Sequence, residues 1–581
     1  MAHRHAPWTF ALVVTAASAL LAQQPRDNRA PVPEGTAGLA GRVVTRDADS
    51  RPLRKTIVTL RSDDGRLHRT AITDDGGAFA CGGLPAGRYA LDASRRGWPT
   101  IAYGANRPHQ RGTRIDVADG QQVRDITIRM PRGAVLTGSV VDHTGRPMAH
   151  AAVLALRFMY LHGERRLTRY REDYTDERGV YRLYGLAAGE YLVASGGVPS
   201  AFENLGTIYA TGEADVRRIL ELEGSRGYAR PGQDLHVPST TVGYVPVYYP
   251  GTPMRAQALA IALAAGEERS ALDFEIAPAQ ALAVQGLVDR PPGLPPALSV
   301  RLALRAAGDE ASGGYVGDER ETAATPGGSF TFASVPPGTY DLTASVTQEG
   351  TTVLWASSSL TVMGDHAPRL LLSLRPALTL SGRVAFEGDA APDVAGARIA
   401  LQHLPAGESI AAAIDPSGEF AISGLVPGRY RVAASFRGQA RSRSWSVKSF
   451  VVNGADAVES VLDLRASVAG AVVTFTDRYA TLSGTVQNAA GRGTPEHFVV
   501  VFPADPRLWS PGSRRIQAVR PFSDGRYVIE HLAPGEYLLA AAGDIEEGEW
   551  ADRALLQRLA GSALRFAVAE GQRQVRDVRI E

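Results

Sequence analysis

The chain has 581 residues, with 62 basic against 61 acidic side chains, and is long enough for several domains. This charge balance argues against electrostatic binding of nucleic acid, which needs a basic face. The single cysteine, Cys81, excludes disulfide bonds within the chain.

The N-terminus has the pattern of a secretion signal. A basic start precedes an apolar run over residues 9–22, which at about 14 residues is too short for a membrane span. Small residues near the end of the run favour cleavage after Ala19 or Ala22. We therefore predict a signal peptide over residues 1–22, a linker over 23–36, and a protein that is exported to the periplasm or the extracellular space and does not span the membrane.

One pattern occurs five times in the rest of the chain. Each copy reads Gly-x-(Phe/Tyr)-x-apolar-x-x-(Leu/Val)-x-x-Gly-x-Tyr, with the same spacing from the first glycine to the tyrosine. An internal repeat of this kind indicates a string of similar structural units. The copies are Gly77 to Tyr89, Gly179 to Tyr191, Gly328 to Tyr340, Gly418 to Tyr430 and Gly525 to Tyr537.

The repeated pattern predicts a β-hairpin with one buried face. In the first copy Phe79 and Cys81 alternate with small residues, so both side chains share one face of a strand. A proline- and glycine-rich turn and a second strand with the tyrosine follow. The other copies carry leucine, phenylalanine or isoleucine in place of Cys81, which predicts a buried core thiol rather than a nucleophile.

Each hairpin lies within a larger unit of short strands. An opening strand with its own glycine, such as Leu39 to Val43, precedes each copy, and a β-branched second strand and closing strands complete the unit. Roughly seven short strands in about 90 to 110 residues are typical of a β-sandwich. We predict an all-β protein, a tandem array of about five Ig-like β-sandwich domains. The predicted domains cover residues 37–131, 132–279, 280–375, 376–466 and 467–581.

Two units carry insertions with helical character. The second unit contains an insertion of roughly residues 196–243, in which Val216, Ile219 and Leu220 recur at helical spacing. The fifth unit has a helix-like stretch over residues 549–559. Short helical insertions are therefore expected in these two sandwiches.

The units resemble a known family of domains. The opening Gly-x-Val strand, the Asp-x-x-Gly-x-Phe turn from Asp415 to Phe420, and the Pro-Gly-x-Tyr end are similar to carboxypeptidase regulatory-like domains. These domains are related to transthyretin-like and collagen-adhesin B-type modules of the carbohydrate-binding-like fold. Tyr248 to Thr252 and Val473 to Arg478 are similar to segments of large secreted bacterial proteins with tandem domains. The resemblance implies a transthyretin-like sandwich but no established chemistry.

The sequence offers no recognisable catalytic or metal-binding motif. It lacks the His-Glu-x-x-His, His-x-x-Glu and Gly-x-Ser-x-Gly patterns and a Walker-type phosphate loop. Asp74, Asp75 and Gly76 fit either a calcium loop or an ordinary turn, and the closing glutamate of an EF-type loop is missing. We predict no catalytic residue, no metal and no cofactor.

The best candidates for ligand binding are three tyrosines of the second unit. Tyr244, Tyr248 and Tyr249 follow its insertion, and Pro246 and Pro250 stiffen the segment. Because adjacent residues of a strand face opposite ways, Tyr248 or Tyr249 is expected to point away from the core. Aromatic rings on loops can bind sugars or peptides. The alternative is that these rings pack the insertion onto its own sheet.

Two functional classes follow. The favoured one is a non-catalytic exported protein that binds polysaccharide or an envelope protein, or acts as a structural spacer. The other is an accessory or regulatory component of a secreted peptidase or glycosidase. A cleft with several titratable side chains would favour the second class.

Overall fold

The computed structural model describes residues 35–161, 163–196, 208–209, 240–244, 247–292, 295, 298–307, 320–335, 337–363, 369–388, 392–404, 409–436 and 445–580. The predicted signal peptide and the predicted helix around Val216 lie outside these residues. Over the described residues the protein consists almost entirely of β-strands arranged in successive two-sheet sandwiches, which confirms the predicted fold class.

The first unit shows the basic arrangement of the sandwich. Its strands are β1 (Ala37–Thr45), β2 (Ile57–Ser62), β3 (His68–Ile72), β4 (Ala78–Leu84), β5 (Gly87–Arg95), β6 (Trp98–Ala102), β7 (Ile115–Val117) and β8 (Gln122–Met130). One sheet has the order β4-β1-β8, with β1 antiparallel to β4 and parallel to β8. The facing sheet has the order β3-β2-β5-β6, with β7 beside β5. The apolar faces of the two sheets enclose the core.

The strands of the second unit repeat this arrangement. They are β9 (Ala134–Asp142), β10 (Ala152–Leu161), β11 (Glu164–Tyr174), β12 (Val180–Leu186), β13 (Gly189–Gly196), β14 (Ile208–Tyr209), β15 (Thr240–Tyr244), β16 (Val247–Tyr248), β17 (Ile261–Leu263), β18 (Glu268–Arg269) and β19 (Phe274–Ile276), with a 3-10 turn at Arg255–Gln257. One sheet has the order β11-β10-β13-β16, and the other has the order β12-β9-β18. Strands β11 and β12 are therefore the edges of the two facing sheets.

The third unit receives strands from the insertion that precedes it. Its own strands are β20 (Pro278–Asp289), β21 (Val300–Ala306), β22 (Arg320–Ala323), β23 (Ser329–Val335), β24 (Gly338–Gln348), β25 (Thr351–Val362), β26 (Leu370–Ser373) and β27 (Arg375–Pro376). One sheet has the order β14-β15-β20-β23, so β14 and β15 extend the third unit's sheet. The facing sheet has the order β22-β21-β24-β25-β27.

The fourth unit contains a strand that lies beyond the predicted boundary at residue 466. Its strands are β28 (Leu378–Glu387), β29 (Ala397–His403), β30 (Ser409–Ala411), β31 (Ala413–Ile414), β32 (Glu419–Leu425), β33 (Gly428–Phe436), β34 (Ser446–Val452), β35 (Ala455–Asp456), β36 (Leu462–Leu464) and β37 (Val468–Thr476), with a 3-10 turn at Val394–Gly396. One sheet has the order β30-β29-β33-β36. The other has the order β31-β32-β28-β37-β34-β35, which places β37 between β28 and β34. We therefore propose that the fourth unit extends through Thr476.

The fifth unit carries a short helix against its second sheet. Its strands are β38 (Ala480–Gln487), β39 (Phe498–Pro503), β40 (Gln517–Val519), β41 (Arg526–Leu532), β42 (Gly535–Ala542), β43 (Leu564–Val568), β44 (Arg573–Val575) and β45 (Val578–Arg579). Helix α1 (Arg553–Ala560) follows 3-10 turns at Pro506–Leu508 and Glu549–Ala551. The Asp552 side chain caps α1 by accepting a hydrogen bond from the Leu555 amide. Leu555 and Leu556 are buried, as expected for the predicted helical insertion.

Each unit has its own apolar core, to which the repeated hairpin contributes. Cys81 is 7% exposed within the first core, and burial raises the pKa of its thiol, so the predicted structural role of this cysteine is confirmed. Four of the five repeat tyrosines close their hairpins by donating a hydrogen bond to a carbonyl four residues earlier. These bonds are Tyr89 to Pro85 (2.6 Å), Tyr191 to Ala187 (2.8 Å), Tyr430 to Val426 (2.6 Å) and Tyr537 to Ala533 (2.7 Å).

Two glycines that recur in each unit, one at the start of the hairpin and one in the opening strand, are needed for different steric reasons. Gly179, the first glycine of its hairpin, has φ of 74°, a conformation that disfavours any side chain. Gly41, in the opening strand, instead lies against the backbone of β8, and a Cβ at this position would be 2.0 Å from the Ile126 carbonyl oxygen. The parallel pairing of β1 with β8 therefore requires glycine at residue 41.

We expect Gly41→Ala to destabilise the first unit by about 1 to 3 kcal/mol, because the added methyl group forces the two strands apart. Chemical denaturation of the mature chain, followed by hydrogen exchange in the first unit, measures this loss. Gly82→Ala is the matched control, since a Cβ there has no heavy atom within 4 Å. Equal effects of the two substitutions would contradict the close-approach explanation.

The fifth unit also contacts the first and second units through polar side chains. Arg107 of the first unit pairs with Asp544 (2.6 Å), and Gln110 donates to the Ile545 carbonyl (2.8 Å). Arg157 of the second unit pairs with Glu546 (2.6 Å). The segment from Asp544 to Glu547 thus connects the last sandwich to the first two, and we call it the junction segment.

Candidate functional site

The three predicted tyrosines do not lie in one sheet. Tyr244 ends β15 and is paired with Pro278 of β20, in the sheet of the third unit. Tyr248 lies in β16 and is paired with Ala194 of β13, in the sheet of the second unit. The structure therefore divides the predicted binding face between two sandwiches.

Tyr248 and Tyr249 have the contacts of packing residues. Tyr248 is 8% exposed and lies in an apolar cluster with Leu154 and Leu192, on the face of its sheet that is turned away from the main core. Tyr249 is half-buried against the main core, edge-on to Phe274 with 6.2 Å between ring centroids. These contacts favour the alternative in which the rings pack the chain onto its own sheet. Ligand binding by the three tyrosines stays a prediction.

A polar cavity of about 330 Å³ lies elsewhere in the second unit. It forms where β11, the edge of one sheet, meets β12, the edge of the facing sheet. Side chains at the edge of a sandwich are not fully covered by the opposite sheet. Polar groups from both sheets can therefore line one depression. Its lining includes Arg169, Arg171, Glu172, Asp173, Arg182 and Tyr184. We call this depression the edge pocket.

Tyr184 lies between two arginines at the edge pocket. The Arg171 guanidinium lies over the Tyr184 ring, with 5.0 Å from Cζ to the ring centroid, a distance suited to cation–π attraction. Arg96, from the β5–β6 turn of the first unit, reaches the Tyr184 hydroxyl. Hydrogen bonding and the positive charge of Arg96, followed by that of Arg171, lower the pKa of Tyr184. Arg96 of the first unit thus adjoins a pocket whose lining comes from the second unit.

The remaining arginines of the edge pocket have acidic neighbours. Arg169 pairs with Glu172 at 2.6 Å, and Arg182 lies 3.4 Å from Glu268. The Asp173 carboxylate accepts a hydrogen bond from the Arg182 amide (2.9 Å). The pocket therefore offers guanidinium groups and carboxylates side by side.

A second cavity, of about 290 Å³ in the first unit, differs in how its arginines are paired. Arg61 pairs with Asp92, and Arg114 pairs with Asp63 at 2.6 Å. Arg111 donates to Glu547 of the junction segment at 2.8 Å. All three guanidinium groups at this cavity are neutralised by carboxylates, so the cavity offers little to an anionic ligand.

Metal-ligand geometry is not found in the part of the chain that the structure describes. Among those residues, no group of three or more histidine, cysteine, aspartate or glutamate side chains could hold a metal ion. Asp74, considered above for calcium, accepts a hydrogen bond from the Ala78 amide (2.8 Å), as a turn aspartate does. No helix within the described ranges has the length and apolar character needed to cross a membrane.

One known domain family matches two parts of the chain. Residues 38–131 and 379–465 match the sequence profile of the carboxypeptidase regulatory-like domain. The protein is therefore a tandem array of β-sandwiches, and its first and fourth units are similar to carboxypeptidase regulatory-like domains. No curated protein matches the sequence.

Several solved bacterial structures show a distant likeness. The minor pilin GBS52 of Streptococcus agalactiae has 12% identity, with 45% of this chain and 99% of that chain covered and a TM-score of 0.21. The TIE protein of Bacillus anthracis has 9% identity, with 75% and 72% covered and a TM-score of 0.14. A putative adhesin of Bacteroides ovatus has 12% identity, with 27% and 79% covered and a TM-score of 0.16. Likeness at this level carries no conclusion about function.

Proposed function

We propose that this protein is a non-catalytic, exported multidomain protein that binds carbohydrate or protein at the cell envelope. The observation that supports binding is the edge pocket, which places Tyr184 between Arg96 and Arg171 on the surface of a packed sandwich. Sites that hold small ligands combine a concave shape with a few convergent polar groups. Residues of the first two units form this arrangement, and each of these units has its own packed core.

The tandem architecture also suits a role as a spacer. The sandwiches follow one another with short connections, such as the passage from Met130 at the end of β8 to Ala134 at the start of β9. Side-chain contacts reinforce this connection, since His109 of the first unit and Tyr170 of the second lie 3.0 Å apart. A stack of sandwiches joined in this way can hold a ligand away from an attachment point while it resists local bending.

Export is supported by the N-terminal sequence pattern. We expect N-terminal sequencing of the protein recovered from outside the cytoplasm to begin between Leu20 and Gln24, because small residues end the apolar run there. Replacing Leu12 with arginine should interrupt the apolar run and retain the protein, with an intact Met1, in the cytoplasm. Recovery of the unmodified chain uncleaved in the cytoplasm would contradict the export proposal.

Binding without catalysis can be tested on one preparation. The mature chain is immobilised and exposed in turn to isolated envelope polysaccharides and to envelope proteins, and bound material is quantified. The proposal predicts saturable retention of one of these fractions, without new reducing ends or new amino termini in the eluate. Release of cleavage products would show an enzyme, and absence of retention from both fractions would reject the binding role.

A further inference from the structure

We propose that the edge pocket is a binding site for an acidic polysaccharide, with the carboxylate of a uronic-acid residue held between Arg96 and Arg171. This inference rests on the proposed binding function and assigns the ligand class to its pocket. Three features of the pocket carry it: two arginines that form no ion pair with the described residues, a ring that orients one of them, and neighbouring carboxylates that can accept hydroxyl hydrogen bonds.

The first feature is uncompensated positive charge. Within the described residues, neither Arg96 nor Arg171 forms an ion pair with a carboxylate, whereas the arginines of the cavity in the first unit are all paired. Both guanidinium groups adjoin the Tyr184 side chain, with Arg171 over the ring and Arg96 beside the hydroxyl. A ligand anion at this point would gain two cationic partners without breaking an existing ion pair.

The second feature is the orientation of Arg171. Its guanidinium lies over the Tyr184 ring, with 5.0 Å from Cζ to the ring centroid, and contact with an aromatic face restricts the orientation of an arginine. Arginine binds carboxylates through two parallel N–H donors, and a guanidinium that is already oriented loses less freedom on binding. Tyr184 lies in β12 and is half-buried, so the sheet limits the movement of the ring that supports Arg171.

The third feature distinguishes a sugar from other anions. Glu172 and Asp173 line the same cavity, and carboxylates only accept hydrogen bonds at neutral pH. A uronic-acid residue carries hydroxyl donors for such acceptors beside a carboxylate for the arginines. An acidic peptide has a similar density of carboxylates but no ring hydroxyls that could donate hydrogen bonds to Glu172 and Asp173.

The size of the cavity limits what enters it. A volume of about 330 Å³ lies at the lower end of the range for ligand sites, about 300 to 1,000 Å³. One or two sugar residues of a longer chain can occupy such a space, while the rest of the chain continues over the surface. The structure therefore fits recognition of a charged repeat within a polymer.

The test compares matched ligands on the full mature chain by isothermal titration. Polygalacturonate is the acidic probe, fully methyl-esterified polygalacturonate is the same polymer without charge, and polyglutamate is the acidic peptide. We expect polygalacturonate to bind at least about tenfold more tightly than either of the other two, because only it offers both carboxylates and hydroxyls. Binding should weaken as the salt concentration rises.

Two double variants test whether the edge pocket is the binding site. Arg96→Gln combined with Arg171→Gln should weaken polygalacturonate binding by about 10- to 100-fold, since two charge-assisted contacts are lost. Arg124→Gln combined with Arg579→Gln removes the same charge from exposed positions outside the pocket and should leave binding unchanged. Unchanged melting temperatures show that both double variants are folded.

Three results would overturn the inference. Equal affinity for the esterified polymer would reject recognition of the carboxylate, and equal affinity for polyglutamate would favour an acidic peptide. Undiminished binding by the folded Arg96→Gln and Arg171→Gln double variant would place the site elsewhere. If the mature chain binds none of the three polymers but binds another envelope component, this inference fails while the proposed function stands.

Discussion

Glu546→Ala should destabilise the contact between the second and fifth units by about 3 to 5 kcal/mol, because it leaves the buried Arg157 guanidinium without its counter-ion. The side chains of Arg157 and Glu546 are only 9% and 18% exposed, and their charged atoms lie 2.6 Å apart. Arg157 also lies over the rings of Tyr170 and Tyr191, at 5.7 and 5.9 Å, so it cannot turn into solvent without leaving these contacts. Native-state hydrogen exchange of the β10 amides measures the local opening free energy.

Two further variants isolate the buried charge as the cause. Glu547→Ala is the matched control. Glu547 and Arg111 form an ion pair in which their side chains are 40% and 50% exposed, so this substitution should lower the stability by less than about 1 kcal/mol. Arg157→Met combined with Glu546→Leu should recover most of the lost stability, because the unpaired charge is gone. Similar losses from Glu546→Ala and Glu547→Ala would contradict the role of the junction segment as a buried connection.

Tyr430→Ala should cost about 3 to 5 kcal/mol in the fourth unit, in line with other truncations of buried aromatic residues. Tyr430 is 1% exposed, and its ring lies 5.0 Å from the His403 ring. Its hydroxyl donates to the Val426 carbonyl and accepts from the Val426 amide, which closes the hairpin. Tyr430→Phe keeps the ring and loses only these hydrogen bonds, so it should cost about 1 kcal/mol.

The effect of Tyr430→Ala on the free energy of unfolding is best measured on a fragment of residues 377–477. This fragment contains every strand of the fourth unit that the structure describes. We expect the fragment to unfold cooperatively in urea. The same fragment ended at Ala466 should not fold, because it lacks β37, which pairs with both β28 and β34 and buries Val473 and Phe475. A stable fold without β37, or no effect of Tyr430→Ala, would contradict the structure of the unit.

The sequence predicted the parts of the fold that depend on local pattern. The five glycine-to-tyrosine repeats identified the hairpins, and alternation along the strand placed Cys81 in a core. The helical stretch of the fifth unit was visible because Leu555 and Leu559 recur at helical spacing. Each of these features depends on residues close together in the chain, so one sequence was sufficient.

The edge pocket could not be predicted from the sequence, for a physical reason. Pairing of β10 with β11 shifts register between Ala155 and Leu156, a bulge opposite Arg169 and Arg171. A bulge inserts one residue and turns the following side chains to the other face, so strict alternation cannot be read across it. The run of arginines along β11 was a possible signal, but the partner Arg96 comes from another unit.

Pairings across the predicted domain boundaries were equally beyond local reasoning. The strand that ends at Tyr244 pairs with β20 of the third unit, and β37 pairs with β28 of the fourth. Long-range packing determines which strands pair, so the residue pattern of one strand does not predict its neighbour in the sheet. The junction segment likewise reads as a solvated acidic run until the first two units are placed against it.

The proposal that this tandem β-sandwich protein binds acidic polysaccharide without catalysis is tested most directly by a broad glycan array probed with the mature chain. We predict retention of glycans that carry uronic acids, loss of that signal in the Arg96→Gln and Arg171→Gln double variant, and intact glycans after incubation. Retention of no glycan, or shortening of the arrayed chains by the protein, would contradict it.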